Sequence, residues 1–258
     1  SQVDKQIDFT GANVILFVEP LGTDPKVIGQ QHFNPVSTQE GKIYNVGSTY
    51  PNDTVGTIYD AGPIWWLHEL YHGGLDLGDG FGDEKFQDGP NRGMGEWGLM
   101  STGKSEFLTW HKWLLGFNED SQVACLDSSQ ETITWLVPSS YKSQKTKLAV
   151  IPLSKNKAIV VESIRAAGLN FKVGAEGQGA LAYVVDTKDR RPNFGFTVLR
   201  VEGKTGYQGN YHDPNMVNFN SQNVAPLYVG ESVMYEGVKI TNVEWGEFGD
   251  VIKVEPVK

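Results

Sequence analysis

Histidine, glutamate and aspartate gather between Trp65 and Asp79, in the run WWLHELYHGGLDLGD. His68, Glu69 and His72 spell His-Glu-x-x-His. Four positions apart on a helix, His68 and His72 stand one above the other on a single face. Two imidazoles placed so can close on one zinc ion, while Glu69 can address a water rather than the metal. Two ligands and one general base make a water-activating hydrolase, and a metalloprotease uses this constellation. A pattern with three fixed positions also arises by chance on amphipathic helices, so its surroundings matter. Ile64, Trp65, Trp66 and Leu67 precede it, bulky and apolar, as a helix at the floor of a cleft requires. Gly73-Gly74 then stops the helix. Beyond the stop, Asp76 and Asp79 could each swing back toward a metal.

Other elements must hold this helix in place. Asp60 is a candidate cap and Pro63 falls in the first turn, so the helix is expected over Asp60–His72. Ala12–Val18 is short, apolar and β-branched, bounded by Gly11 and Glu19-Pro20, and predicts a buried strand of a central sheet. Residues 20–57 read as loops with short strands around Lys42–Val46. The stretch from Gly78 to Gly95 is too rich in glycine to be a regular element. Its Asp79, Asp83, Glu84 and Asp88 offer oxygen ligands for calcium, but the spacing matches no EF-hand loop, and a solvated acidic loop is the plainer reading. Apolar residues at spacings of three and four predict a helix over Ser105–Phe117, capped by Ser105 and stopped near Gly116.

After Asn118 short β-rich runs alternate with turn signals: Thr132–Val137, Lys147–Pro152, Ala158–Ile164, Gly179–Asp186, Phe196–Val201, Ser232–Tyr235, Val238–Val243 and Asp250–Glu255. Strands at this density predict an all-β, sandwich-like module. The boundary falls between Asn118 and Glu131, giving domains 1–122 and 123–258.

Composition narrows the function classes. A chain of 258 residues fits one large domain or two small ones. A formal net charge of -9 argues against nucleic acid and anionic membrane as partners. No apolar run approaches the roughly 20 residues of a membrane span. The single cysteine, Cys125, leaves no internal disulfide and no cysteine-based zinc cluster. Of the five histidines, only His68 and His72 have helical ligand spacing. His111 reads as a core or helix-surface histidine. Ser1 opens no signal peptide, so either a leader was removed or the sequence begins after one.

Several stretches, taken in order, resemble the secreted bacterial metalloproteases of the immune inhibitor A type. They are HELYHGGLDLGD at 68–79, EWGLMSTG at 96–103, and the Trp-His-Lys-x-x-Leu-Gly-Phe run ending at Phe117. Later come VVES at 160–163, GQGAL at 177–181 leading to Tyr183 and Asp186, and the tail from Gly230 to Glu255. The resemblance covers most of the chain. It implies a secreted zinc endopeptidase of α+β class: a metzincin-like catalytic domain followed by the all-β domain, with a protein or peptide substrate. It also implies a role for Met100, in a tight turn beneath the metal as an apolar floor, although methionine is as often an ordinary core filler.

The chain departs from the family at the third ligand. The longer motif would place that ligand at Gly78, which has no side chain. Asp79 is one residue late and Asp76 two early. An unbroken helix would carry Asp76 about 12 Å along the axis from His68 at 1.5 Å per residue, so the double glycine must break it if Asp76 binds. Spacing favours Asp79 and the local text favours Asp76; both stand. Tyr71, Tyr183, Tyr207 and His212 are the candidate donors to an oxyanion, none of them singled out. Two other readings share the motif: a zinc hydrolase of non-peptide substrates, and an inactive protease-like binding or adhesion module. The intact Glu69 argues against decay.

Overall fold

In the structure, a computed structural model, the described residues are 4–18, 20, 31–33, 35–49, 67–68, 70–72, 94, 97–100, 105–171, 173–188, 195–204 and 224–257. The chain divides into two compact units, Ser1–Gly78 and Asp79–Lys258.

In the first unit β1 (Val14–Val18) runs parallel to β5 (Asn45–Thr49), and β2 (Gln31–Phe33) pairs antiparallel on the other side of β5. β3 (Val36–Ser37) and β4 (Lys42–Ile43) form a small hairpin, closed by Thr38 N–H donating to Gly41 O at 2.7 Å. Val46, on the middle strand β5, is buried. β1 is less buried than its composition predicts. It lies at the edge of the described sheet, and its Phe17 and Val18 are 49% and 44% exposed. Residues 67–68 and 70–72 of this unit are helical.

The second unit holds two sheets. The first has the order β11 (Phe196–Val198), β10 (Gly179–Asp186), β9 (Lys157–Ile164), β8 (Leu148–Pro152) and β6 (Val123–Cys125). It is antiparallel except for β6, which runs parallel to β8. The second has the order β12 (Ser232–Tyr235), β13 (Val238–Gly246), β14 (Gly249–Pro256) and β7 (Thr132–Leu136), all antiparallel. The turn between β12 and β13 is two residues long, with φ of 43° at Glu236 and 78° at Gly237. Positive φ at both positions is what a type I′ hairpin needs.

Strand alternation explains where the core sits. Side chains two apart share a face of a strand. Ala149 and Ile151 of β8, Ile159 and Val161 of β9, and Ala180, Ala182 and Val184 of β10 meet Leu136, Val238, Ile240, Ile252 and Val254 of the other sheet. The intervening residues, Leu148, Val150, Val160, Leu181, Tyr183 and Val185, face the opposite way. They pack beneath Met94, Trp97 and Leu108, with Trp110 and Trp113 against them. The five-stranded sheet is thus covered on both faces, which is why its strands read as continuous apolar runs.

This architecture corrects the expected α+β class, with a metzincin-like catalytic domain ahead of an all-β one. Among the described residues the protein is mostly β: strands hold 40% and helical residues, 3-10 turns included, only 12%. The physical reason is clearest at Ser105–Phe117, where helix forms only over Thr109–Leu114. Leu108 is extended, with φ −51° and ψ 144°. Ser105 does not cap the helix, because its Oγ accepts the Gly98 N–H at 2.8 Å. Gly116, at φ +76°, ends it. Apolar spacings of three and four were met by an extended entry and a closing turn as well as by helix. Among the described residues no helix is long and apolar enough to cross a membrane.

Candidate metal centre

Leu67, His68, Leu70, Tyr71 and His72 are helical, so the i, i+4 spacing puts the two imidazoles on one face, as the sequence predicts. Their Nε2 atoms face each other at 2.9 Å. The ring centroids are 4.5 Å apart and the planes cross at 85°. His68 is 1% exposed, whereas His72 and Tyr71 are half-buried and Leu70 lies at the surface. One imidazole is therefore buried and the other half-buried.

Two neutral imidazoles meet in this way by one Nε2–H donating to the other Nε2, which requires opposite tautomers. The same pair is within reach of a shared ion: tetrahedral zinc, at zinc–nitrogen distances of about 2.0–2.1 Å, sets two nitrogens about 3.3 Å apart, so the rings would open by a few tenths of an ångström from 2.9 Å to hold it. The donor set, two borderline nitrogens, fits zinc and other late first-row metals rather than calcium or magnesium. Glu69, the expected base, and Asp76 and Asp79, the expected third ligands, lie outside the described residues, as do Asp83, Glu84 and Asp88 of the candidate calcium segment. Tyr207 and His212 lie outside them too. Among the described residues no group of three or more His, Cys, Asp or Glu could hold a metal ion.

The other candidates belong to the second unit. Met100 is 3% exposed, in the turn that follows Gly98 (φ +89°). Tyr183 is fully buried and its OH donates to Glu162 Oε1 at 2.9 Å, so it is occupied in the core and does not serve as an oxyanion donor. Burial and the adjacent Glu162 push its phenol well above the usual range. His111 is half-buried, and desolvation lowers its pKa to about 4.

Two buried polar clusters escape a reading of the sequence. In the first, Glu162 accepts from Thr109 N–H at 2.9 Å, Thr109 Oγ1 at 2.6 Å and Tyr183 OH. A carboxylate thus meets the first turn of the short helix, where unpaired N–H groups collect. Burial raises the Glu162 pKa against the lowering effect of these donors. In the second, Asp250 Oδ2 accepts from Ser163 Oγ at 2.6 Å and Arg165 Nη1 at 2.8 Å, and Oδ1 accepts from Asn242 Nδ2 at 2.9 Å. This network ties β9 to β13 and β14. The available signal was a charge at an inward register of an apolar strand, as Glu162 is between Val161 and Ser163.

No family model, no curated protein and no solved structure matches the chain, so the functional reading rests on its own residues.

Proposed function

We propose that the protein is a secreted, zinc-dependent endopeptidase of the immune inhibitor A type. One observation carries the reading: within His-Glu-x-x-His, the Nε2 atoms of His68 and His72 converge to 2.9 Å on one helical face. In this reading His68 and His72 are ligands and Asp79 or Asp76 supplies a third, leaving a position open for water. Zinc, when bound, supplies a Lewis acid that acidifies water and polarises a substrate carbonyl. The protein's own part is then positional and acid–base. His68 is the buried ligand of the pair and His72 the half-buried one. Glu69 takes the proton of the attacking water and returns it to the leaving amine. Neither step needs the metzincin fold, because the chemistry belongs to the site rather than to the architecture.

The test is a casein digest by the wild type, the wild type with a chelator, and Glu69→Gln. The reading predicts proteolysis that both the chelator and the substitution abolish, with at least a hundred-fold loss for a missing general base. Proteolysis that survives Glu69→Gln would contradict it. Zinc uptake without digestion of casein or short peptides would point instead to a hydrolase of non-peptide substrates.

A further inference from the structure

His111 is out of place on the Thr109–Leu114 helix. Its neighbours Leu108, Trp110 and Trp113 pack into the apolar layer over the five-stranded sheet. The His111 ring enters the same layer, 4.8 Å from Phe196 of β11 and 5.9 Å, edge-on, from Phe107. Its Nδ1 is buried and has no hydrogen-bond partner. A buried nitrogen left so is costly, and a protonated ring there would be costlier.

The titratable and charged groups of the elements packed around it are committed elsewhere. Glu162 on β9 takes its hydrogen bonds from Thr109 and from Tyr183 on β10. Glu106 pairs with Lys112 at 2.6 Å and accepts from Ser139 and Asn170. Lys112 and Lys147 both donate to Ser139 O, and Lys147 also to Tyr141 O. Among the described residues no hydrogen bond or ion pair joins any of them to His111.

We propose that His111 is an acid-sensitive latch: a proton taken up by its unpartnered imidazole releases the Thr109–Leu114 helix from the five-stranded sheet. The inference is independent of the metal site. The sign follows from the two states. Docked, the imidazole is held at about 4 by desolvation; undocked, it returns to about 6.5. The latch therefore holds fully above pH 6.5 and loosens as pH falls toward 4. Glu162 works in the opposite sense, since burial raises its pKa and its protonation favours the docked state. The His111 contribution is read by difference.

The experiment is amide hydrogen exchange on the full chain, wild type and His111→Phe, corrected for intrinsic rates, at pH 7 and pH 5. From the two pKa values the undocking equilibrium shifts about 20-fold between these pH values. Protection over residues 107–115 should fall by that factor in the wild type relative to His111→Phe, in which Glu162 alone acts and protection holds or rises, with β13 and β14 unaffected. Equal behaviour in the two proteins, or a fall shared by β13 and β14, overturns the proposal. The wild-type imidazole titration by NMR needs no variant: a His111 midpoint below pH 5 supports the latch, and one between 6 and 7 overturns it.

Discussion

Arg165→Met tests how the two sheets of the second unit are joined. The Arg165 side chain is 5% exposed and its partner Asp250 0%. The guanidinium donates to Asp250 Oδ2, Ile164 O, Gly246 O and Gly249 O at 2.7–2.8 Å, with a weaker Nε bond to Gly246 O, and it stacks 4.8 Å over Trp245. Methionine keeps the apolar stem and removes every donor. Asp250 is left as a buried carboxylate with only Ser163 and Asn242 donating, and three carbonyls lose a partner. Summing about 1–3 kcal/mol for each orphaned group overstates the loss, since water enters where Trp245, 47% exposed, borders the site. Breaking one side of a buried pair costs about 3–5 kcal/mol, and that is the expected loss here. Urea unfolding followed by tryptophan fluorescence reads it, because Trp97, Trp110, Trp113, Trp135 and Trp245 all lie in this unit. The double variant Arg165→Met/Asp250→Asn should be less destabilised than the sum of the singles by about 2 kcal/mol, since the uncompensated charge is gone. A loss below about 1 kcal/mol for Arg165→Met, or strict additivity, would refute the reasoning.

Three further outcomes are expected. Tyr183→Phe removes one donor to a buried carboxylate and should cost about 1.5–3 kcal/mol in the same assay, with the strands intact by circular dichroism. Thr109→Val removes the 2.6 Å hydroxyl bond to Glu162 and should cost a similar amount; a neutral result would mean that Glu162 does not hold the helix entry. Gly249→Ala should prevent stable folding or cost more than about 3 kcal/mol. Its φ is +123° and the added methyl would collide with Leu136 O, so soluble protein of wild-type melting temperature would contradict the β7–β14 register.

Much of the second unit is legible in the sequence because its strands are β-branched runs ended by turn residues. Gly179–Asp186 and Ser232–Tyr235 are read to the residue, and Thr132–Leu136 to within one. β6 is not legible: three residues carry too little period, and only the parallel contact with β8 makes them a strand. The helix around His111 is overread because apolar spacing fixes which residues are buried, not the backbone that buries them. Strand β1 is misjudged in the opposite way, since an apolar run of that length fits an edge strand as well as a central one. At the candidate metal centre the facing of His68 and His72 is legible from their spacing alone. The third ligand is not, because it depends on where the chain turns after Gly73-Gly74. The Glu162 and Asp250 clusters needed the tertiary pairing that brings Thr109 to β9 and Arg165 to β14.

Zinc content, by elemental analysis of the folded wild type and of His72→Ala, tests the metal assignment most directly. The proposed site predicts about one zinc per chain in the wild type and a loss of at least ten-fold in occupancy in His72→Ala at matched free zinc. A folded wild type that takes up no zinc when zinc is supplied, or a His72→Ala variant that keeps it, would contradict the assignment.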